Sequence, residues 1–212
     1  MSADLCDVEK LSDALDICRK ILKKNPDRID IAARACRLCW SIGVQLESED
    51  RARETFALGV KLAERMKQRH PEKPDGWYWY AVNHGQVIAR SSIFAKIGAA
   101  GKITEHARKT LELDPSYDGG GAYVMLGRIN QMIPGGSDRT AEEYFLKAIK
   151  IAPGRTTPHL YLAELYADQK RYDEARRELK QVLESQKDSD YPVERKLDLP
   201  PAQELMDEIA DR

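Results

Sequence analysis

His159 to Leu183, HLYLAELYADQKRYDEARRELKQVL, constrains the fold more than any other stretch of the chain. Counted from His159 as zero, Leu162, Ala163 and Tyr166 fall at +3, +4 and +7. At about 100° per residue of an α-helix, these four share one stripe, which must be buried. A polar break, Asp168-Gln169-Lys170-Arg171, follows, and a second helix then carries Ala175, Leu179 and Val182 at i, i+4 and i+7. Ala163 and Ala175 stand where the two helices of a hairpin come closest, with Tyr166 and Leu179 as bulk around them. The stretch therefore reads as one helical hairpin.

The same ruler fits twice upstream. From Tyr123 it meets Leu126, Gly127 and Asn130, and then Ala141, Phe145 and Pro153, displaced by two residues. The turn Pro134-Gly135-Gly136-Ser137-Asp138 absorbs that displacement, because insertions in turns are cheap. From Trp77 it meets Tyr80, Ala81 and His84, while Ile103, Ala107 and Pro115 arrive ten residues late. The excess lies in Gln86 to Gly101, QVIARSSIFAKIGAAG, which is mostly apolar or small. It is expected to lengthen the first helix as far as about Ile97, with a break at Gly98 or Gly101; the other option is an extra turn packed on the hairpin. Recurrence of these offsets resembles the tetratricopeptide repeat, W-x2-L-G-x2-Y, then A-x3-F, then P. His159 replaces the Trp, and Lys187 stands where the Pro would be.

The flanks follow the same spacing. Ala14, Cys18 and Pro26 repeat the offsets of Ala141, Phe145 and Pro153, so Leu11 to Lys24 reads as a second helix at an irregular, capping end of the array. Ile29 to Leu46 has a small-residue face (Ala32, Ala33, Ala35, Cys36, Cys39) with Trp40 in the core, and Ala52 and Phe56 mark the helix after it. His70 to Asp75 is a surface loop. Beyond the polar stretch Ser185 to Asp190, Pro201 opens a last amphipathic helix with Ala202, Leu205, Met206 and Ile209 on one side. The fold class expected is all-α, an α-solenoid of stacked tetratricopeptide-like hairpins with a C-terminal capping helix. Residues 1–212 form a single domain on this reading: an N-terminal helix at about 8–25, hairpins at about 27–70, 75–115, 120–153 and 156–185, and the cap at about 201–211.

Composition narrows the function. With 42% hydrophobic and 33% charged residues in 212, the chain can build a continuous core. A net charge of −1 gives no global field, so nucleic acid and acidic membrane surfaces are not expected partners. No apolar run approaches the roughly 18 to 20 residues that span a bilayer, and MSADLCDVEK has no signal-peptide pattern. The expected location is cytoplasmic, or periplasmic or membrane-anchored if a signal or anchor has been removed. Cys6, Cys18, Cys36 and Cys39 include one CxxC, but it sits inside a helical pattern and Cys6 and Cys18 are twelve apart, so buried reduced thiols are expected instead of a zinc or disulfide site. The histidines, His70, His84, His106 and His159, are scattered; Glu105-His106 lacks the second histidine of HExxH, and no Gly-x-Ser-x-Gly occurs. Gly119 to Gly121 has no strand before it and no Gly-Lys-Ser/Thr after it, and reads as a flexible lead-in that lets helices pack closely. His84 beside Asn83 reads as a packing histidine. No enzyme activity, cofactor or metal is expected.

The stretches WYWYAVNHGQ, AKIGAAGKITEHARKTLELDPSYDGGGAYVMLGRINQMIPGG and AEEYFLKAIKIAPGRTTPHLYLAELYADQKRYDEARRELKQVL together resemble a tetratricopeptide subfamily that includes the T-component of TRAP transporters and the regulators of microtubule dynamics. The resemblance covers the chain from about Ala14 onward and implies a binding scaffold with no chemistry to carry over. In stacked hairpins of this family, offsets +1, +5 and +8 of each first helix line the concave groove. Those positions are Tyr78, Val82 and Gly85; Val124, Arg128 and Gln131; and Leu160, Glu164 and Ala167, with Gln86 beside the first set. The expected groove is apolar with isolated charges of both signs. Repeats that hold the C-terminal carboxylate of heat-shock proteins resemble one another in a Lys/Asn/Arg cluster there, and only Arg128 matches it. The expectation is a protein or peptide partner docking through apolar side chains, with a homo-oligomer allowed. The alternative is a transport-accessory or small-ligand binder of the T-component type. Solvated positions, or positions covered by the chain's own insert, would leave no groove at all.

Overall fold

The computed structural model describes residues 7–90, 93–186 and 190–212, without the side chains of residues 93–97 and 99. Cys6 and Lys187 lie outside the described residues, as does part of the Gln86 to Gly101 insert. Within the described residues there are ten helices and no strand: α1 (Val8–Lys24), α2 (Ile29–Gly43), α3 (Glu49–Arg69), α4 (Pro74–Ala89), α5 (Ile93–Leu113), α6 (Tyr117–Met132), α7 (Asp138–Ile151), α8 (Thr156–Asp168), α9 (Tyr172–Leu183) and α10 (Pro192–Glu208). The described residues group into two compact units, one running to Tyr117 and one from Asp118 to Arg212.

Local chemistry sets the ends of these helices. Asp7, Ser48 and Ser137 each accept a first-turn backbone N–H of α1, α3 and α7, taking up donors that would otherwise be orphaned. The turn between α8 and α9 closes with Lys170 at φ 61°, while Arg171 N–H donates to Tyr166 O at 2.8 Å. This left-handed residue is what ends α8 within the polar break.

In the N-terminal unit, α2, α3 and α4 meet where a glycine stands in place of a side chain. A Cβ on Gly59 of α3 would lie 2.3 Å from Asn83 Oδ1 of α4. Asn83 is fully buried, and its Nδ2 donates to Cys36 O on α2 (3.3 Å) and to Trp79 O (3.0 Å). Cys36 Sγ in turn donates to Gly59 O at 3.4 Å, so one polar knot ties three helices. Beside it, the buried Phe56 fills the space over Gly43, where a Cβ would meet the ring at 2.5 Å.

The C-terminal unit uses the same device. Gly127 on α6 faces the buried Phe145 on α7, and a Cβ there would lie 2.4 Å from the ring. Ala163 and Ala175 are fully buried with Leu162, Leu179 and Val182, and Ala202 of α10 and Ile209, its C-terminal cap, join that core. Asp118, Gly119 and Gly120 begin α6 with φ of 49°, 62° and 73°, a left-handed turn that glycine enters without steric cost. A Cβ on Gly119 would also collide with Tyr191 Oη at 2.0 Å, so the glycine run does serve close packing.

Two boundaries differ from the sequence reading. The insert lengthens the second helix of its hairpin, not the first: α4 ends at Ala89, and α5 runs unbroken through Gly98 and Gly101. Arg90 is the C-terminal cap, and its guanidinium donates to Gln86 O (3.2 Å) and Gln86 Oε1 (2.9 Å), satisfying a last-turn carbonyl of α4. The last helix begins at Pro192, ahead of the expected Pro201, and contains Pro200 and Pro201 in its interior. Each proline removes a ladder hydrogen bond, and side-chain contacts to α8, described below, hold the first half of α10 instead.

Gly59→Ala is expected to destabilise the protein by about 1–3 kcal/mol through overpacking against Asn83. Gly101→Ala, with nothing within 4 Å of its new methyl, is expected to stabilise it by about 0.5–1 kcal/mol through helix propensity. Urea denaturation followed by circular dichroism measures both.

Candidate functional site

The residues placed on the groove by sequence divide between the two units. In the N-terminal unit Tyr78 is buried, its ring edge-on to Trp79 (5.0 Å) and Tyr117 (5.2 Å). Val82 and Gln86 are half-buried, and Gln86 holds Arg90. Gly85 is half-buried, with Ile103 nearest. In the C-terminal unit Val124 and Leu160 are buried, and Ala167 packs partly against the α8–α9 core. The structure brings Arg128, Gln131 and Glu164 together: Arg128 Nη1 donates to Glu164 Oε2 at 2.5 Å and to Gln131 Oε1 at 2.9 Å. The guanidinium lies 4.2 Å from the centroid of the Tyr161 ring, whose phenol is pushed up to about 12 by burial. The charges expected to be isolated are therefore a joined pair on an aromatic platform, about one-third exposed on each side chain.

A second polar cluster, in the N-terminal unit, was not singled out as a site by sequence. Lys67 Nζ lies over the rings of Trp77 (5.1 Å) and Tyr80 (4.8 Å), pairs with Glu64 at 3.0 Å, and reaches His106 Nε2 at 3.0 Å. His106 is buried and stacked on Tyr80 at 4.4 Å. Its Nδ1 lies 2.8 Å from Lys102 O, and a carbonyl only accepts, so Nδ1 carries the proton and Nε2 accepts from Lys67. Burial lowers the His106 pKa, aided by the Lys67 charge; burial likewise lowers that of His84, whose Nδ1 has no hydrogen-bond partner. His84 is thus a packing histidine with one nitrogen unsatisfied. The offsets of Trp77 and Tyr80 gave the aromatic half of this cluster, whereas Lys67 and His106, 39 residues apart, left no local signal.

In the C-terminal unit, Arg155 is buried among partners no motif announced. Its Nε and Nη2 donate to the two oxygens of Glu194 (2.8 and 2.5 Å), and Nη1 donates to Asp118 O (2.6 Å). The Tyr191 ring lies 4.7 Å from the guanidinium. Thr156 and Thr157 bring the adjoining Asp198 into the same network. His159, in the place of the repeat's Trp, sets Nδ1 2.6 Å from Glu178 Oε2 and Nε2 3.2 Å from Pro153 O, so both ring nitrogens face acceptors.

The three described cysteines have the chemistry of core filler. Cys18, Cys36 and Cys39 are free and buried. Burial raises all three thiols, Cys39 to about 12 and Cys36 well above its ordinary value, which disfavours the thiolate that zinc or redox chemistry needs. Among the described residues no group of three or more His, Cys, Asp and Glu is placed to hold a metal, and no helix is long and apolar enough to cross a membrane.

This architecture of paired helices with small residues at their contacts is that of the tetratricopeptide proteins, and solved structures agree. A thermophilic TPR protein of Thermus thermophilus matches with a TM-score of 0.69 and 16% identity over 95% of each chain. MamA matches at 0.51 and 16% over 96% of this chain and 93% of its own, and a further MamA structure at 0.52 and 18% over 84% and 83%. These likenesses show the fold, an all-α helical-repeat solenoid class. A tetratricopeptide repeat model matches residues 139–192. The family model of regulator of microtubule dynamics protein 1-3 matches residues 3–130, and the chain belongs to that family. That match supports the microtubule-dynamics side of the resemblance and leaves the T-component side unsupported. Curated protein sequences yield no match.

Because the folded state depresses the His106 pKa, its contribution to stability is full above the ordinary value of 6.5 and is lost as pH falls below it. Hydrogen exchange of α3–α5 amides in the full chain is expected to show falling protection from pH 7 to pH 5, and a smaller fall in His106→Gln. An equal fall in both proteins would contradict this role for His106.

Proposed function

We propose that the protein is a non-catalytic scaffold for a protein or peptide partner, and that Arg128, Gln131 and Glu164 over Tyr161 form its recognition face in the C-terminal unit. One observation carries this reading: a part-exposed arginine–carboxylate pair held in place by an aromatic ring. Arg128 Nη1 uses its hydrogens on Glu164 and Gln131, and the guanidinium has three more, on Nε and Nη2. Glu164 keeps acceptor capacity on its carboxylate. A donor beside an acceptor matches the C=O and N–H of an extended peptide, and stacking on Tyr161 lowers the entropy lost on binding. Neutralisation of Arg128 by Glu164 disfavours a free anion as the ligand. Val124 and Leu160, buried one helical turn before Arg128 and Glu164, continue this stripe into the core, and Val82 and Gln86 would form a separate contact strip on the N-terminal unit. Family membership makes proteins that act on microtubules the first partners to test.

Affinity capture with equal amounts of wild type, Arg128→Ala/Glu164→Ala and Arg139→Ala/Glu143→Ala tests the assignment. The last pair is an exposed ion pair on α7 and serves as the control. The first variant is expected to lose at least about fivefold of a captured partner, roughly the 1 kcal/mol of a modest interface contact, while the control keeps it. Equal yields from all three proteins would refute the assignment.

A further inference from the structure

The first half of α10 docks on α8 through polar groups that call for one more proton than the ionised side chains supply. Thr157 Oγ1 lies 2.9 Å from Glu194 Oε2 and 2.8 Å from Asp198 Oδ2. A hydroxyl has one proton and donates to one of them. The other contact becomes a hydrogen bond only when a carboxyl group donates back to Thr157 Oγ1. Both oxygens of Glu194 accept hydrogen bonds from Arg155. Asp198 is left as the donor, and Thr156 Oγ1, which donates to Asp198 Oδ2 at 2.6 Å, completes its surroundings.

Charge leads to the same place. Glu194 and Asp198 both stand near one buried guanidinium, Arg155. With both ionised, two negative charges face that one positive charge away from water, and a proton on Asp198 removes one of them.

We propose that Thr156, Thr157, Glu194 and Asp198 form a proton-operated latch between α8 and α10, closed when a proton sits on Asp198 and loosened when it leaves. Burial holds the Asp198 carboxyl at about 6, against the ordinary 3.8 and against the pull of both threonine hydroxyls. Other titratable and charged groups surround it. From α8 come Arg155, at its N-terminal cap, and Tyr161, kept neutral by a phenol raised to about 12; from α10 comes Glu194; Tyr191 and Asp118 reach Arg155. His159 on α8 is engaged by Glu178 of α9, and Arg176 of α9 meets the far end of α10 at Ile209 O.

A folded pKa above the unfolded value gives stability that is full below about 3.8 and is lost as pH rises through about 6. The latch therefore holds in mild acid and loosens near neutrality. Ala202 and Ile209 keep the second half of α10 in the core throughout.

The test follows the Asp198 carboxyl by carbon NMR, together with hydrogen exchange of the 193–199 amides, in the full-length wild type and in Asp198→Asn. The asparagine copies the protonated state, since its Nδ2 can donate to Thr157 Oγ1. In wild type the carboxyl is expected to titrate near 6, and opening of 193–199 to increase about tenfold from pH 5 to pH 7.5, after correction for intrinsic exchange. Asp198→Asn is expected to show no such increase and to be as protected at pH 7.5 as wild type at pH 5. Titration near 3.8, or the same tenfold change in Asp198→Asn, overturns the proposal. Should the variant not fold, the wild-type titration decides alone.

Discussion

Helix separation is the constraint on which everything else in these two units depends, and small residues set it. Gly43 under Phe56, Gly59 under Asn83 and Gly127 under Phe145 each leave no room for a methyl group. Ala163 and Ala175 perform the same role between α8 and α9. A helix whose face meets a large side chain can approach closely only if that face is bare at the contact. Once the separation is fixed, so is the outward face: Arg128 and Glu164 come within one hydrogen bond, and the Tyr161 ring lies against the Arg128 guanidinium.

Close approach also brings polar groups out of water, and each unit meets that cost with specific partners. In the N-terminal unit Asn83 binds two carbonyls and His106 sits between Lys67 and a carbonyl. In the C-terminal unit Arg155 serves Asp118 and Glu194 while two threonines serve Asp198. Protonation acts in opposite senses at the two clusters, disfavoured on His106 and favoured on Asp198. In both clusters buried charged and polar groups are held by specific partners, and that fixes the geometry of the interior.

Features encoded within one turn or one hairpin were legible in the sequence. The offsets of Ala141, Phe145, Ala163, Ala175 and Leu179 placed the core, and all five are fully buried. Features that depend on distant partners were not. Gly98 and Gly101 looked like stops for the first helix, but that helix ends at Ala89, where Arg90 caps a carbonyl, and both glycines lie inside α5. Residues 192–199 carry too many charges to read as a docked helix until Arg155 and Thr156, about 40 residues away, are seen to hold them. Helical angle placed Tyr78, Val124 and Leu160 on the groove stripe, but angle says nothing of depth, and all three are buried. The pairing of Arg128 with Glu164 spans 36 residues and was invisible for the same reason.

The measurement that bears most directly on this account is a double-mutant cycle on Gly127 and Phe145, read by chemical denaturation. Gly127→Ala alone is expected to cost about 1–3 kcal/mol by overpacking, and Phe145→Ala alone about 3–5 kcal/mol by leaving a cavity. If the two residues share one space, the new methyl of Gly127→Ala occupies part of the volume that Phe145→Ala vacates. The double variant should then lose at least about 1 kcal/mol less than the sum of the singles. Losses that add to within about 0.5 kcal/mol would contradict the claim that a bare helix face opposite a large side chain sets the helix spacing.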